Sequence, residues 1–146
     1  MLRDPSLIPL SHQHHNGLAL AVLTERALRA GGAPEEIERL AQRIVDRFEI
    51  EIKNHFELEE ELLFPPLRAL PLVEVLLGEH RHLESLVDRL RDKPEQNLIL
   101  EFTSLLRRHI RVEESDLFEQ AQQLLSRETL DEIGRQLDAR AVRVCL

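Results

Sequence analysis

At 146 residues, with 42% hydrophobic and 32% charged side chains and a formal net charge of −8, the chain reads as one globular domain with a substantial core, residues 1–146, rather than a disordered segment. Its lysines and arginines form no blocks, and no apolar run approaches the ~18 residues that span a bilayer, which argues against nucleic acid and membrane as partners. The N-terminal residues lack the apolar centre of a signal peptide, and the single cysteine, Cys145, has no mate for a disulfide or a thiolate zinc site, so the expected location is cytoplasmic.

Ser11 reads as the N-cap of a first helix that Gly31 and Gly32 terminate. Pro34 sits where a helix accepts proline, in its first turn, with Glu35 and Glu36 near the positive end. This second helix meets no breaker until Pro65 and Pro66 stop it. Pro71 opens a third helix ending near Asp92. Pro94 opens a fourth that runs to about Leu125, and Ser126 caps a short fifth ending near Leu137. Alternating β-branched runs are missing. Four long helices with short connections predict an all-α fold: an up-down-up-down four-helix bundle over about residues 9–125, with the fifth helix in a C-terminal extension over 126–146.

Polar groups interrupt the apolar faces of these helices at related points. On the second, Ile37, Ala41, Ile44, Phe48, Ile52 and Leu62 recur at steps of three or four, and the stripe passes through His55 and Glu59. On the fourth, Leu98, Phe102, Leu105 and Leu106 lead onto His109 and Glu113. On the third, Val73, Leu76, Leu77, Leu83, Val87 and Leu90 surround His80. Burying such groups costs several kcal/mol unless they are partnered. HFELEEELLF (55–64) and HIRVEESDLF (109–118) share the pattern His-x-x-x-Glu-Glu-x-x-Leu-Phe. Residues four apart share a helix face, so each copy presents an imidazole beside a carboxylate.

All seven histidines fall into four groups: His12, His14 and His15; His55; His80 and His82; and His109. Each long helix carries one group, and the turns place the groups of adjacent arms at similar heights. The first helix offers His14 or His15. Leu18, Ala21, Glu25 and Leu28 step away from His14, and aligning LSHQHH with LLGEHR sets His14 opposite His80, so the register favours His14, with His15 behind it. His12 is expected in solvent or at the mouth of the site, and His82 in solvent. Glu84, one turn after His80, stands where a further ligand would sit, and Glu60 and Glu114 border the core face. Glu57 and Glu25 are weaker candidates. Imidazoles with carboxylates suit iron, manganese or zinc, whereas calcium and magnesium prefer oxygen ligands. Four histidines and two glutamates exceed the needs of one tetrahedral zinc and suit two metals bridged by carboxylates and a solvent-derived oxygen.

LSHQHHNGLAL, HFELEEELLFP, GEHRHLESL and HIRVEESDLF, in that order from about Pro9 to Leu125, resemble the hemerythrin-like family, the HHE cation-binding domains. The resemblance implies a left-twisted four-helix bundle holding two iron ions in an oxo- or hydroxo-bridged centre. Its ligands fall on His14, His55, Glu59, His80, His109 and Glu113, with Glu59 and Glu113 as bridges. It also implies a role with O₂, NO or a related oxidant, in sensing, storage or scavenging. Oxygen-carrying members have a fifth histidine one turn after the third-helix ligand. Glu84 stands there in this chain, which argues against reversible oxygen carriage.

A ferritin-like di-iron oxidase is the alternative, but it requires Glu-x-x-His on two helices, and Glu79–His82 supplies a single copy. A metal-free helical interaction module would require the buried histidines and glutamates to satisfy one another. No nucleophilic triad, phosphate-cradling loop or dinucleotide fingerprint is present, so no catalytic residue is assigned. With neither Trp nor Tyr in the chain, no tyrosyl radical can sit beside the metals.

Overall fold

Asp4 starts the first ordered element of the structure, a computed structural model that describes residues 2–144; Cys145 lies outside the described residues. Its carboxylate accepts hydrogen bonds from the Ser6 amide (3.0 Å) and hydroxyl (2.6 Å) and caps a 3₁₀ turn, Pro5–Leu7. That turn runs directly into α1, Ile8–Ala30. Helix α1 therefore begins before Ser11, contrary to the expected cap. Pro9 occupies its first turn, where a missing N–H costs nothing. Ser11 instead donates to Glu114 at 2.7 Å.

Helix α2 is one rod over residues 34–63 with two widened turns. It comprises Pro34–Arg47, a π segment Phe48–Ile52, an α segment Lys53–Leu58 and a second π segment Glu59–Leu63. The Phe64 amide reaches back five residues to the Glu59 carbonyl at 2.8 Å. Helix α3 spans Pro71–Asp92. Helix α4 joins Gln96–Val112, a π segment Glu113–Leu117 and Phe118–Leu124, and Pro94 lies in the turn before it. Helix α5 spans Arg127–Arg140, with the Ser126 hydroxyl accepting the Thr129 amide as expected. No strand occurs among the described residues, and no helix there is long and apolar enough to cross a membrane.

Helix α1 packs on α4 and α2, and α3 on α2 and α4, forming a helical bundle. Its core falls into two apolar clusters. One contains Leu20, Ile44, Ile52, Leu83, Phe102 and Leu106. The other contains Leu10, Leu63, Phe64, Leu76, Leu117 and Phe118. On each of the four long helices a buried histidine falls where one cluster gives way to the other.

The C-terminal helix is part of this body. Helix α5 lies on the Pro5–Leu7 turn and on α1. A side chain at Gly134 would meet the Ser6 Cα at 3.0 Å, so glycine is what permits the close approach. Arg127 grips Asp4 through two hydrogen bonds, of 2.6 and 2.9 Å. This guanidinium, with help from the Ser6 bonds, holds the Asp4 carboxyl well below the usual carboxylate range, against the opposing effect of burial. Its contribution is thus complete above the ordinary carboxylate pKa and disappears as pH falls through the lowered value. Asp4→Ala is expected to cost about 1 kcal/mol at neutral pH as a lost cap. In urea the midpoint should drop with the slope unchanged, and the difference from the parent should vanish in strong acid.

Candidate metal centre

Each of the four long helices sends one imidazole into the polar layer. His14 is 3% exposed, His55 5%, His80 0% and His109 1%, and Glu59 and Glu113 are both fully buried. His14 Nε2 lies 2.8 Å from Glu113 Oε1, and His80 Nε2 lies 3.1 Å from Glu59 Oε1. Within the helical repeats, His55 Nε2 is 3.3 Å from Glu59 and His109 Nε2 is 3.4 Å from Glu113. These six residues form two groups of potential metal ligands: His14, His55, Glu59 and Glu113; and Glu59, His80, His109 and Glu113. Both carboxylates belong to both groups.

The outer nitrogens are equally well organised. Nδ1 of His14 meets Glu114 at 2.6 Å, that of His80 meets Glu60 at 2.8 Å, and that of His109 meets Glu79 at 2.8 Å. His55 Nδ1 meets an amide oxygen, Gln13 Oε1, at 2.9 Å. The Gln13 nitrogen donates to Asn54 Oδ1 and to the Val142 carbonyl, both at 3.0 Å, so Oε1 is the atom turned to His55. All four partners are acceptors. Each acceptor favours a ring proton on Nδ1 and turns Nε2 inward toward the carboxylates, the orientation that metal-ligating histidines require. Aromatic rings fix the imidazole planes: Phe56 stacks on His80 at 3.9 Å and Phe118 on His14 at 5.2 Å.

Burial and Glu113 together push the Glu59 carboxyl up to about 8, since two carboxylates cannot both ionise cheaply in this layer. Burial also opposes ionisation of Glu113, yet His109, with His14 and His55, holds it well below the ordinary range. Burial alone would lower His109, but Glu113, with Glu79 and Glu59, raises it to about 10.

Among the described residues six buried side-chain atoms have no hydrogen-bond partner. Two are Arg3 Nε and Thr24 Oγ1, and the other four belong to the inner set: Nε2 of His55 and His109, and Oε2 of Glu59 and Glu113. Leaving such atoms unpaired costs about 1–3 kcal/mol each, and coordination would satisfy them together. The donor set thus fits cations bound among nitrogen and carboxylate ligands.

The other sequence candidates lie outside the two groups. Glu84 is half-buried and pairs with Arg81 at 3.2 Å. His12, His15 and Glu57 are exposed, His82 pairs at the surface with Glu101, and Glu25 meets Thr103 and Arg107. Glu60 and Glu114 stand behind ligands on neighbouring helices. Sequence reasoning missed Gln13 and Glu79 in this outer ring. Each immediately precedes a ligand histidine, and the two align in the repeat that pairs LSHQHH with LLGEHR.

A small free space of about 10 Å³, the scale of one water-sized guest, adjoins His14, His55 and His109. Ile52, Phe56, Leu106, Ile110 and Gly17 give it apolar walls, and Glu51 forms a polar edge.

The chain matches the Hemerythrin HHE cation binding domain over residues 6–121. No curated protein and no solved structure matched it. With a match over most of its length, and with buried His and Glu groups able to hold metal ions, the chain belongs to the hemerythrin HHE cation-binding domain family.

Proposed function

We propose that this protein binds two iron ions between its long helices and presents them to O₂, NO or a related small oxidant, in sensing, storage or scavenging. The observation that carries this reading is the pair of buried ligand groups sharing Glu59 and Glu113. Shared carboxylates suit adjacent cations, and the mixed nitrogen and oxygen donors suit iron, with manganese or zinc as alternatives. When bound, iron would supply electron exchange with the diatomic ligand. The protein supplies the rest: His14, His55, His80 and His109 would hold the ions through Nε2, and Glu59 and Glu113 would offset their charge. The apolar walls beside His14 and His55 favour a small uncharged guest over water. Glu84 is omitted from the proposed ligand set because it is turned to Arg81.

We also read the chain as a single domain with an up-down-up-down bundle. The clusters support that order: α1 and α3 pass from the Leu10–Leu76 cluster to the Leu20–Leu83 cluster, while α2 and α4 pass the opposite way. The ferritin-like alternative loses its motif, since Glu79 serves His109 and His82 lies at the surface. A metal-free module is disfavoured by the four unpartnered inner atoms.

Metal analysis of purified protein tests the proposal, with two iron ions per chain expected, one for each ligand group. Near-ultraviolet and visible charge-transfer bands should bleach on reduction and change on exposure to O₂ or NO. The absence of Trp and Tyr keeps that window clear. Protein prepared aerobically and anaerobically without stoichiometric metal would end the proposal.

A further inference from the structure

The four histidines are held by matching outer acceptors, with a single departure. In the two halves of the chain, the second glutamate of each repeat serves a histidine on another helix: Glu114 serves His14, and Glu60 serves His80. The residue before the odd-helix histidine serves the even-helix one: Gln13 serves His55, and Glu79 serves His109. At that equivalent place one half has a neutral amide and the other a carboxylate. A carboxylate behind an imidazole makes its inner nitrogen a stronger donor, and an amide does so much less.

Gln13 is also the residue to which the C-terminal segment is fastened. Asn54 Oδ1 accepts the Gln13 amide at 3.0 Å and the Val142 backbone N–H at 2.9 Å, and its own amide donates to the Arg140 carbonyl at 3.2 Å. The Val142 carbonyl accepts the second bond from Gln13 at 3.0 Å. One turn along α1, the Asn16 amide donates to the Val144 carbonyl at 3.1 Å and to the buried Glu51 at 2.8 Å. Residues 142–144 thus form a strap across α1 and α2 on the side of His55. Among the described residues no such segment fastens Glu79, which also pairs with the exposed Arg108.

We propose that the two cation positions are unequal: the His14–His55 position binds more weakly, and the C-terminal strap sustains it by orienting Gln13 toward His55. This rests on the two-cation reading above. Gln13 is a positioning residue, since its effect passes through the His55 ring.

The test is an anaerobic titration of metal-free, full-length protein with Fe(II), and separately Co(II), in competition with a chromophoric chelator. Two binding steps of distinct affinity are expected. Gln13→Leu removes the acceptor, and Asn54→Ala removes the side chain that ties Gln13 to the Val142 amide and the Arg140 carbonyl, without touching the ring. Each should weaken the weaker step by about 10-fold and leave the tighter step unchanged, an effect typical of losing a partner behind a metal-bound histidine. Glu79→Gln, the same carboxylate-to-amide exchange in the other half, should instead weaken the tighter step. Circular dichroism and melting of the metal-free variants establish that each is folded. Two indistinguishable steps in the parent, or equal losses in both steps for Gln13→Leu and Asn54→Ala, overturn the inference while leaving two-cation binding intact. No stoichiometric binding in the parent overturns both readings.

Discussion

Glu113→Ala is expected to leave both cation positions unfilled. The two oxygens of this carboxylate serve different neighbours: Oε1 is 2.8 Å from His14 Nε2 and 3.7 Å from His55 Nε2, and Oε2 is 3.4 Å from His109 Nε2. Its removal deletes one donor and one negative charge from each group simultaneously. A partner standing behind a ligand is typically worth 10- to 100-fold in metal affinity, so loss of a shared inner carboxylate should exceed about 100-fold at each position. Glu114→Gln offers the comparison next door. It touches His14 alone among the ligands and should cost about 10-fold. Metal content after purification, followed by chelator competition, reads both effects. Glu113→Gln keeps the side-chain volume and guards against a packing artefact. Retention of two tightly held ions by the alanine variant would refute the assignment of Glu113 to both groups.

Removing the metal should lower the melting temperature strongly. Free ligand at a thousand times its dissociation constant adds about 4 kcal/mol to folding stability per site. For a chain of this size each kcal/mol moves the midpoint by about 2–4 °C, so stripping the ions should cost on the order of 10 °C or more. The stripped protein must also carry the unpartnered nitrogens of His55 and His109 and the oxygens of Glu59 and Glu113 in an otherwise apolar layer. Melting curves with chelator, and after metal is restored, read the effect directly. A midpoint indifferent to chelator would mean that the layer is satisfied without cations.

The sequence was most legible where chemistry and periodicity coincide. His55, Glu59, His109 and Glu113 stand at the helical repeat within apolar stripes, and burial of all four follows from that pattern. Core register and the alignment of LSHQHH with LLGEHR both favour His14 over the neighbouring His15, and the structure buries the former and exposes the latter. Helix starts at Pro34, Pro71 and Arg127 follow local rules of proline and serine placement. The start of α1 did not, because Asp4 caps a preceding 3₁₀ turn that shows no apolar periodicity. The π turns were also hidden. One added residue per turn leaves steps of three and four almost intact, although it makes Leu63 the fully buried residue and leaves Leu62 half-buried. Gln13 was hardest to find, since a glutamine carries no mark of what it faces. Its alignment with Glu79 was the one available clue.

The imidazole planes are settled twice over, by an acceptor on Nδ1 in all four cases and by phenylalanine faces against His80 and His14. Rotamer freedom at these rings is surrendered when the chain folds, before any ion arrives. Cation uptake then asks little rearrangement of the backbone. Its speed should be governed by how quickly the incoming ion sheds hydration water.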